Sequence, residues 1–155
     1  MSMPLVHALP VAGPAGDALR QAAADLRRVQ AGGQPVVVSL ALAQLARCYR
    51  GLGAGEAAEA TFTQALRWSR CIGAADLALD LLCDLCDCAA DRVARAAVRE
   101  HAQDALQLAG SVSDLRFEVV ALLRISAALA RCGDEREAKA LQTRAQQLLN
   151  GDAAA

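Results

Sequence analysis

Aromatic residues and net charge are both scarce in this sequence. Phe, Trp and Tyr together make up 3% of the 155 residues, and the formal net charge is -1. Nucleic-acid-binding domains usually combine a basic surface with aromatic side chains that stack on bases. The composition therefore argues against a nucleic-acid partner.

A long uninterrupted apolar segment is also missing. The longest segment without a charged residue, 29–46, is long enough to span a membrane, but Gly32, Gly33 and Pro35 interrupt it. Residues 1–16 are apolar and rich in proline and glycine, yet they lack the basic stretch that begins a signal peptide. We therefore expect no membrane partner, a cytoplasmic location and a flexible leader over residues 1–16.

Patterns typical of β-strands are absent from the sequence as well. The nearest candidate, the run from Val36 to Val38, continues directly into a helical pattern. Since 55% of the residues are hydrophobic and few are aromatic, the core must consist mainly of Leu, Ala and Val. Such side chains suit helices in close contact, so the sequence predicts an all-α fold.

A helical hairpin at residues 42–66 is the clearest pattern that is present. Apolar residues recur at helical spacing, are interrupted by three glycines, and then resume. This hairpin resembles the tetratricopeptide repeat (TPR), whose motif is W-x2-L-G-x2-Y, then A-x3-F, then P. The positions that carry the resemblance are Leu42, Leu45, Ala46, Tyr49, Ala58, Phe62 and, at the place of the proline, Arg70.

The hairpin recurs with a period of forty residues, as the alanines at 65, 105 and 145 illustrate. The TPR period is about 34, so these repeats are longer. Gly53 and Gly133 mark equivalent turns, with Val93 between them. The resemblance implies a TPR-like right-handed superhelix, an α-solenoid of antiparallel helix pairs, formed by three repeats.

Glycines and capping residues divide the chain into about seven helices. Asp91, for example, is expected to cap the fifth helix by accepting hydrogen bonds from its first-turn amides. The first and last helices are apolar on one face only, so we expect them to cap a complete array. The predicted helices cover 17–30, 35–52, 55–71, 74–90 and 92–109, and two more end at 131 and at 150. Together they are expected to form a single domain over 17–150, followed by a flexible tail at 151–155.

Four aspartates of the helix at 74–90 and its end fall within a strip about 60° wide on a helical wheel. The forty-residue register sets Asp84 beside Gln44 and Arg124, with Asp87 beside Arg47 and Asp91 beside Arg131. One interpretation is that these arginines form exposed ion pairs worth about 0 to 1 kcal/mol each, without further function. The other is that the strip binds a basic or amine-bearing segment of a partner. Because the inner helix of each TPR pair commonly lines the peptide groove, the resemblance implies that role for Arg47, Asp80, Asp84, Asp87, Asp91, Arg124 and Arg131.

A metal site is not expected, although Cys83 and Cys86 form a C-x2-C pair. The pair lies inside a predicted helix and has no second ligand pair, so buried small hydrophobic side chains are the better interpretation. The sequence thus predicts a non-catalytic protein-interaction scaffold or chaperone-like adaptor that holds a partner segment in a concave groove, without a cofactor. The alternative is an enzyme, or a small-ligand- or metal-binding helical domain, that uses the acidic strip. Self-association also stays open.

Overall fold

The computed structural model describes residues 13–112 and 114–152. Within these residues the chain forms seven α-helices and no strand, so the all-α prediction is confirmed. The helices are α1 (Pro14–Gly32), α2 (Pro35–Gly51), α3 (Gly55–Cys71), α4 (Ala75–Asp91), α5 (Arg95–Ala109), α6 (Leu115–Arg131) and α7 (Glu135–Asp152).

Consecutive helices pack in pairs, as the repeat pattern predicts. Helix α2 packs on α3, α4 on α5, and α6 on α7, while α1 covers α2. The pairs are joined by contacts of α3 with α4, of α4 with α6 and of α5 with α6. Helix α4 is therefore the central element of a helical-repeat fold, and we call α2, α4 and α6 the inner helices.

The turns within the three pairs share one backbone geometry. Gly53, Val93 and Gly133 all have a positive φ, of 73°, 54° and 81°. In each turn the residue that follows donates its backbone N–H to a carbonyl five residues earlier, as Ala54 does to Tyr49 (2.9 Å). The same carbonyl also accepts the N–H of the residue three positions later, as Tyr49 does from Leu52 (3.2 Å), so one carbonyl at the end of the helix receives two hydrogen bonds. The turn between α3 and α4 has the same geometry, with Gly73 at φ 69° and a hydrogen bond from Ala74 to Ser69 (3.0 Å), so this turn recurs at half of the forty-residue period.

Helix α1 begins three residues earlier than predicted. Pro14 is its first residue, where the missing N–H costs nothing and the fixed φ suits a helix. The rest of the predicted leader, residues 1–12, lies outside the described residues. At the other end α7 continues to Asp152, and the last residues of the predicted tail, 153–155, also lie outside them.

The predicted start of α5 and its cap were wrong. Asp91 is the last residue of α4, and its carboxylate accepts hydrogen bonds from Arg50 and Arg131 instead of from backbone amides. Helix α5 begins only at Arg95, after the left-handed turn at Val93, and Ala94 occupies the position before it. The sequence signal failed because α4 continues through Asp91 and the N–H groups of residues 92–94 donate to the carbonyls of Ala89 and Ala90, so Asp91 does not stand at the N-cap position.

The core is aliphatic and is densest around α4. Leu79, Leu82 and Leu85 are almost completely buried there, together with Cys83 and Cys86. All six cysteines of the chain are free thiols. Burial raises the pKa of Cys83 to about 12, so this thiol stays protonated and packs as a small hydrophobic side chain.

Candidate partner-binding face

The acidic strip of α4 lies between arginines of the two other inner helices. Asp80, Asp84, Asp87 and Asp91 project from α4, and the arginines that reach them come from α2 and α6. We refer to these four aspartates together with Arg47, Arg50, Arg124 and Arg131 as the ionic network.

Asp84 is the buried centre of the network. Only 4% of the residue is exposed. Arg47 of α2 donates to its Oδ2 atom from Nε (3.0 Å) and Nη2 (2.6 Å), and Arg124 of α6 donates to its Oδ1 atom from Nη2 (2.5 Å). A buried carboxylate is costly unless charged donors satisfy it, and here both oxygens are satisfied. Through this one residue, the three inner helices are connected.

Arg124 bridges three carboxylates. Besides Asp84, it donates to Asp80 (2.8 Å) and Asp87 (2.9 Å). Burial alone would lower the pKa of Arg124, but its hydrogen bonds to Asp87 and Asp84 outweigh that effect and raise the pKa. The guanidinium therefore keeps its charge at every pH that the fold would experience.

Arg131 and Arg50 form a second group of contacts, near the C-termini of the inner helices. Arg131 donates to Asp87 and Asp91, at 2.8 Å each. Arg50 donates to Asp91 from Nε (2.5 Å) and Nη2 (3.1 Å). The hydrogen bond from Arg50 lowers the pKa of Asp91, although partial burial opposes the shift.

Arg50 was missed by the sequence reasoning. The forty-residue register places it opposite Ala90, one residue away from the aspartate that it binds. A usable signal did exist, because Arg50 follows Arg47 by three residues and such positions share a helix face. Two of the predicted neighbours, Arg124 for Asp84 and Arg131 for Asp91, are confirmed.

The predicted pairing of Asp87 with Arg47 was wrong. Arg47 reaches Asp84 and Asp80 instead, which lie about one and two helical turns closer to the N-terminus of α4. Long side chains on a helix point back toward its N-terminus, so the residue register does not fix where the guanidinium lies. The ionic network as a whole has four carboxylates and four guanidinium groups. Its charges therefore cancel within the chain.

Exposed apolar side chains continue the inner-helix surface beyond the network. On α2 they are Val36, Val37 and Leu40, and on α6 they are Phe117 and Val120. Phe117, one of the few aromatic residues of the chain, is 37% exposed. In the forty-residue register Leu40 and Val120 occupy the same position as the polar Asp80, which indicates that this position is not part of the core.

Phe117 and Val120 line a shallow depression of about 220 Å³ between α4 and α6. Leu79 and Cys83 form its wall on α4, and Arg124 borders it. The depression places an apolar surface directly beside the central arginine of the network. A ligand that rests there would contact both an aromatic ring and a charged group.

Among residues 13–112 and 114–152, no group of three or more His, Cys, Asp or Glu side chains is arranged to hold a metal ion. Over the same residues, no helix is both long and apolar enough to cross a membrane.

Comparison with known proteins adds no family assignment. No protein-family model matches the chain, and no curated protein matches it either.

Proposed function

We propose that this chain is a non-catalytic, TPR-like scaffold or chaperone-like adaptor that binds a segment of a partner protein along its inner helices. One observation carries the proposal: apolar side chains are exposed on α2 and α6 in line with the arginines that hold the ionic network. Exposed apolar patches bordered by polar groups are typical of protein-binding surfaces.

The apolar and charged parts of this face occupy different halves of the inner helices. On α2, Val36 and Leu40 precede Arg47 by eleven and seven residues, so all three share one helix face. On α6, Phe117 precedes Arg124 by seven residues and Val120 precedes Arg131 by eleven, so these residues also share one helix face. The N-terminal halves of α2 and α6 thus offer apolar contacts, and the C-terminal halves offer charged ones.

The charge balance restricts the partner's chemistry. The carboxylates of Asp84 and Asp87 are largely covered, while Arg47, Asp91 and Arg131 remain accessible at the rim. A strongly basic segment would have to compete with four arginines that already bind the carboxylates. A partner segment that brings apolar side chains and a few polar groups of both signs fits the face better. In this proposal, the network holds the inner helices in position and the apolar positions supply most of the affinity.

The binding test uses charge substitutions at exposed apolar positions that the core does not need. Wild type, Leu40→Lys and Val120→Lys are used to capture proteins from a native lysate, and the binding of the captured protein is then measured with purified components. We expect each variant to weaken binding roughly tenfold or more, because a lysine would have to be desolvated in an apolar contact. Val93→Lys is the matched control, since Val93 is an exposed valine in the turn between α4 and α5.

Equal binding by wild type and both face variants would contradict the proposal. The enzyme or metal-binding alternative makes a separate demand. Millimolar divalent cations would then raise the melting temperature, and Asp84→Asn would abolish the rise, because a ligand stabilises the folded state in proportion to RT ln(1 + [L]/Kd). The scaffold proposal predicts no such shift.

A further inference from the structure

One row of residues on α4 lies against the first helical pair. Its members share a helix face at spacings of four, three and four residues: Leu77, Leu81, Asp84 and Cys88. Cys88 Sγ donates to the carbonyl oxygen of Gly55 at the start of α3 (3.4 Å), and Asp84 accepts from Arg47 of α2 (2.6 Å). Leu81 and Cys88 are almost completely buried. The preceding pair therefore covers this row.

The same row is covered on α6 but open on α2. Ala121 and Ala128, in the row on α6, are buried. The residues forty positions before the α4 row form what we call the open row of α2: Val37, Ala41, Gln44 and Cys48. Val37 and Gln44 are exposed, and Ala41 and Cys48 are partly exposed. Within residues 13–112 and 114–152 no inner helix precedes α2, so this row lacks the neighbour that the other two have.

The open row requires no charged group from the segment that covers it. On α4 the row contains Asp84, whose carboxylate needs Arg47 from the preceding inner helix. On α2 the equivalent position is Gln44, whose amide is neutral. Arg47 borders the open row, but its guanidinium is already bound by Asp80 and Asp84. An apolar segment without charges therefore fits this row.

The charged residues of α1 do not oppose such a cover. Asp25 is the partly buried one, and its Oδ1 atom accepts from Gln21 (3.0 Å) and Arg28 (3.1 Å). The remaining charged side chains of α1 belong to exposed residues, which are Asp17, Arg20, Arg27 and Arg28. A segment over α2 thus leaves them in contact with water.

The chain itself leads to the open row. Only Gly33 and Gln34 separate α1 from α2, so these two packed helices are antiparallel. At about 1.5 Å per residue, they are about 28 and 25 Å long, so the start of α1 lies beside the end of α2. Gly13, directly before α1, has a φ of 96°, which allows a sharp change of direction. The chain that precedes Gly13 is thus attached near Cys48, at one end of the open row.

We propose that residues 1–12 cover the open row of α2, in the place that an inner helix takes in the following repeats. All residues of this segment except Ser2 and His7 are apolar, and none is Lys, Arg, Asp or Glu. Pro4 and Pro10 favour an extended backbone, in which the segment spans up to about 40 Å. The row from residue 37 to residue 48 is only about 17 Å long. The segment therefore reaches the whole row, and its burial desolvates no charged side chain.

The contact is intramolecular, because the segment and the row belong to one chain. It forms at the high effective concentration of a tethered segment and is independent of protein concentration. A second copy of the chain over the same row would instead depend on concentration. Only Val37 belongs both to the open row and to the apolar surface proposed for partner binding, and the cover is measured without any partner. The two proposals can therefore fail separately.

Alkylation of Cys48 by iodoacetamide reports on the cover, and peptide mass spectrometry resolves it from the five other cysteines. In the full chain, the double variant Leu5→Asp, Leu9→Asp should react at Cys48 roughly tenfold faster than wild type or more, because the new charges cannot be buried on the row. Ala41→Lys, on the row itself, should have the same effect. The two changes introduce opposite charges, so an electrostatic effect on the thiol cannot explain a rise in both.

Leu123→Lys is the matched control, since Leu123 is an exposed leucine on α6, and it should leave the Cys48 rate unchanged. The buried thiols of Cys83, Cys86 and Cys88 should stay unreacted in every variant, which verifies the fold. The wild-type rate at Cys48 should be the same at roughly 1 and 100 μM protein.

An unchanged Cys48 rate in either folded variant, the double variant or Ala41→Lys, would overturn the proposal. Protection of Cys48 that appears only at the higher concentration would overturn it too, and would assign the row to a second copy. A rise in Leu123→Lys as large as in the row variants would show that Cys48 reports a general loosening of the fold instead of the cover.

Discussion

Val93 holds a left-handed backbone conformation in the turn between α4 and α5. Its φ is 54°, while the equivalent turns use glycine. A side chain with a branched Cβ is strained in this region, because Cβ approaches the carbonyl oxygen. The side chain is largely exposed and gains little packing in return. This residue therefore stores a local strain that the other two pairs avoid.

Val93→Gly should stabilise the protein by about 0.5 to 1 kcal/mol. Relief of the left-handed strain exceeds the extra entropy that glycine gives to the unfolded chain. Urea unfolding monitored by circular dichroism measures the change. The reverse substitution, Gly133→Val, is the control and should destabilise by about 1 to 2 kcal/mol. A loss of stability in Val93→Gly would mean that Val93 has contacts worth more than its strain.

Asp134 gives the fold a dependence on acidic pH. Its carboxylate is almost covered and accepts hydrogen bonds from Arg95 Nε (2.9 Å) and Arg99 Nη2 (2.6 Å). The hydrogen bond from Arg95, with help from Arg99 and against burial, lowers the pKa of Asp134 to about 2. The folded state thus holds the ionised carboxylate more strongly than the unfolded chain does, where the pKa is about 3.9.

Since the folded pKa is the lower one, this stabilisation is complete above about pH 4 and is lost as the pH falls toward about 2. Asp134→Asn should therefore be less stable than wild type at neutral pH, and the difference should shrink on acidification. Unfolding curves at several pH values measure it. Glu135→Gln is the control, because Glu135 is exposed beside Asp134 and its replacement should leave the acid dependence of wild type unchanged. A stability difference that stays constant with pH would show that the amide acts through something other than the lost charge.

At the scale of elements, α4 and α7 differ in how much of their surface is packed. Helix α4 contacts α3, α5 and α6, and residues on nearly all its sides are buried. Helix α7 packs on α6 and buries Ala138 and Ala145, while most of its other side chains are exposed or partly exposed. The two helices have similar lengths, so packing and not length must separate their contributions to stability.

Leu82→Ala on α4 should cost about 2 to 5 kcal/mol, because the side chain is 1% exposed and its loss leaves a cavity between helix pairs. Leu148→Ala on α7 should cost clearly less, because Leu148 is only partly buried. The same leucine-to-alanine change is thus compared at two depths by chemical denaturation. Equal losses of stability would mean that Leu148 is buried as deeply as Leu82, which the structure of the single chain does not show.

At the scale of the whole molecule, one ionic network spans all three helix pairs. Arg47 of the first pair and Arg124 of the third both bind Asp84 of the second. These contacts link elements that are about forty residues apart in sequence. Outside this network most contacts join helices that are neighbours in the chain, as expected for a repeat array in which each unit packs on the next. The centre of the array is consequently held from both sides, while each end is held from one.

Hydrogen exchange should therefore reveal a gradient along the chain. Backbone amides of α4 should exchange most slowly, and those of α1 and α7 fastest, because the ends of a repeat array open without disrupting the centre. Mass spectrometry of peptides from a dilute sample measures this order. If all seven helices were protected equally, the chain would open only as one cooperative unit, and the expected gradient would be wrong.

The sequence by itself determined the helices, their pairing and the acidic strip. These features follow from local rules: apolar residues at helical spacing, turns at glycines, and a repeat that places equivalent residues forty positions apart. Helices α2 and α3 begin where the pattern predicts, at Pro35 and Gly55, since Pro35 suits a first helical turn and Gly55 follows the break at Gly53. Such signals can be read along the sequence alone, so no knowledge of packing is required.

Only the tertiary structure decided which charged groups meet and which apolar groups stay exposed. The Asp91 carboxylate binds Arg50 and Arg131 rather than the start of α5, because packing brings these arginines close while the N–H groups that follow Asp91 donate to carbonyls at the end of α4. Arg47 binds Asp84 one turn away from its register partner, since a flexible side chain is longer than one helical step. Leu123 is exposed while Cys83 is buried, although both carry apolar side chains at the same position. Burial depends on whether another helix lies above a residue, and that is a property of the packed array and not of the local pattern.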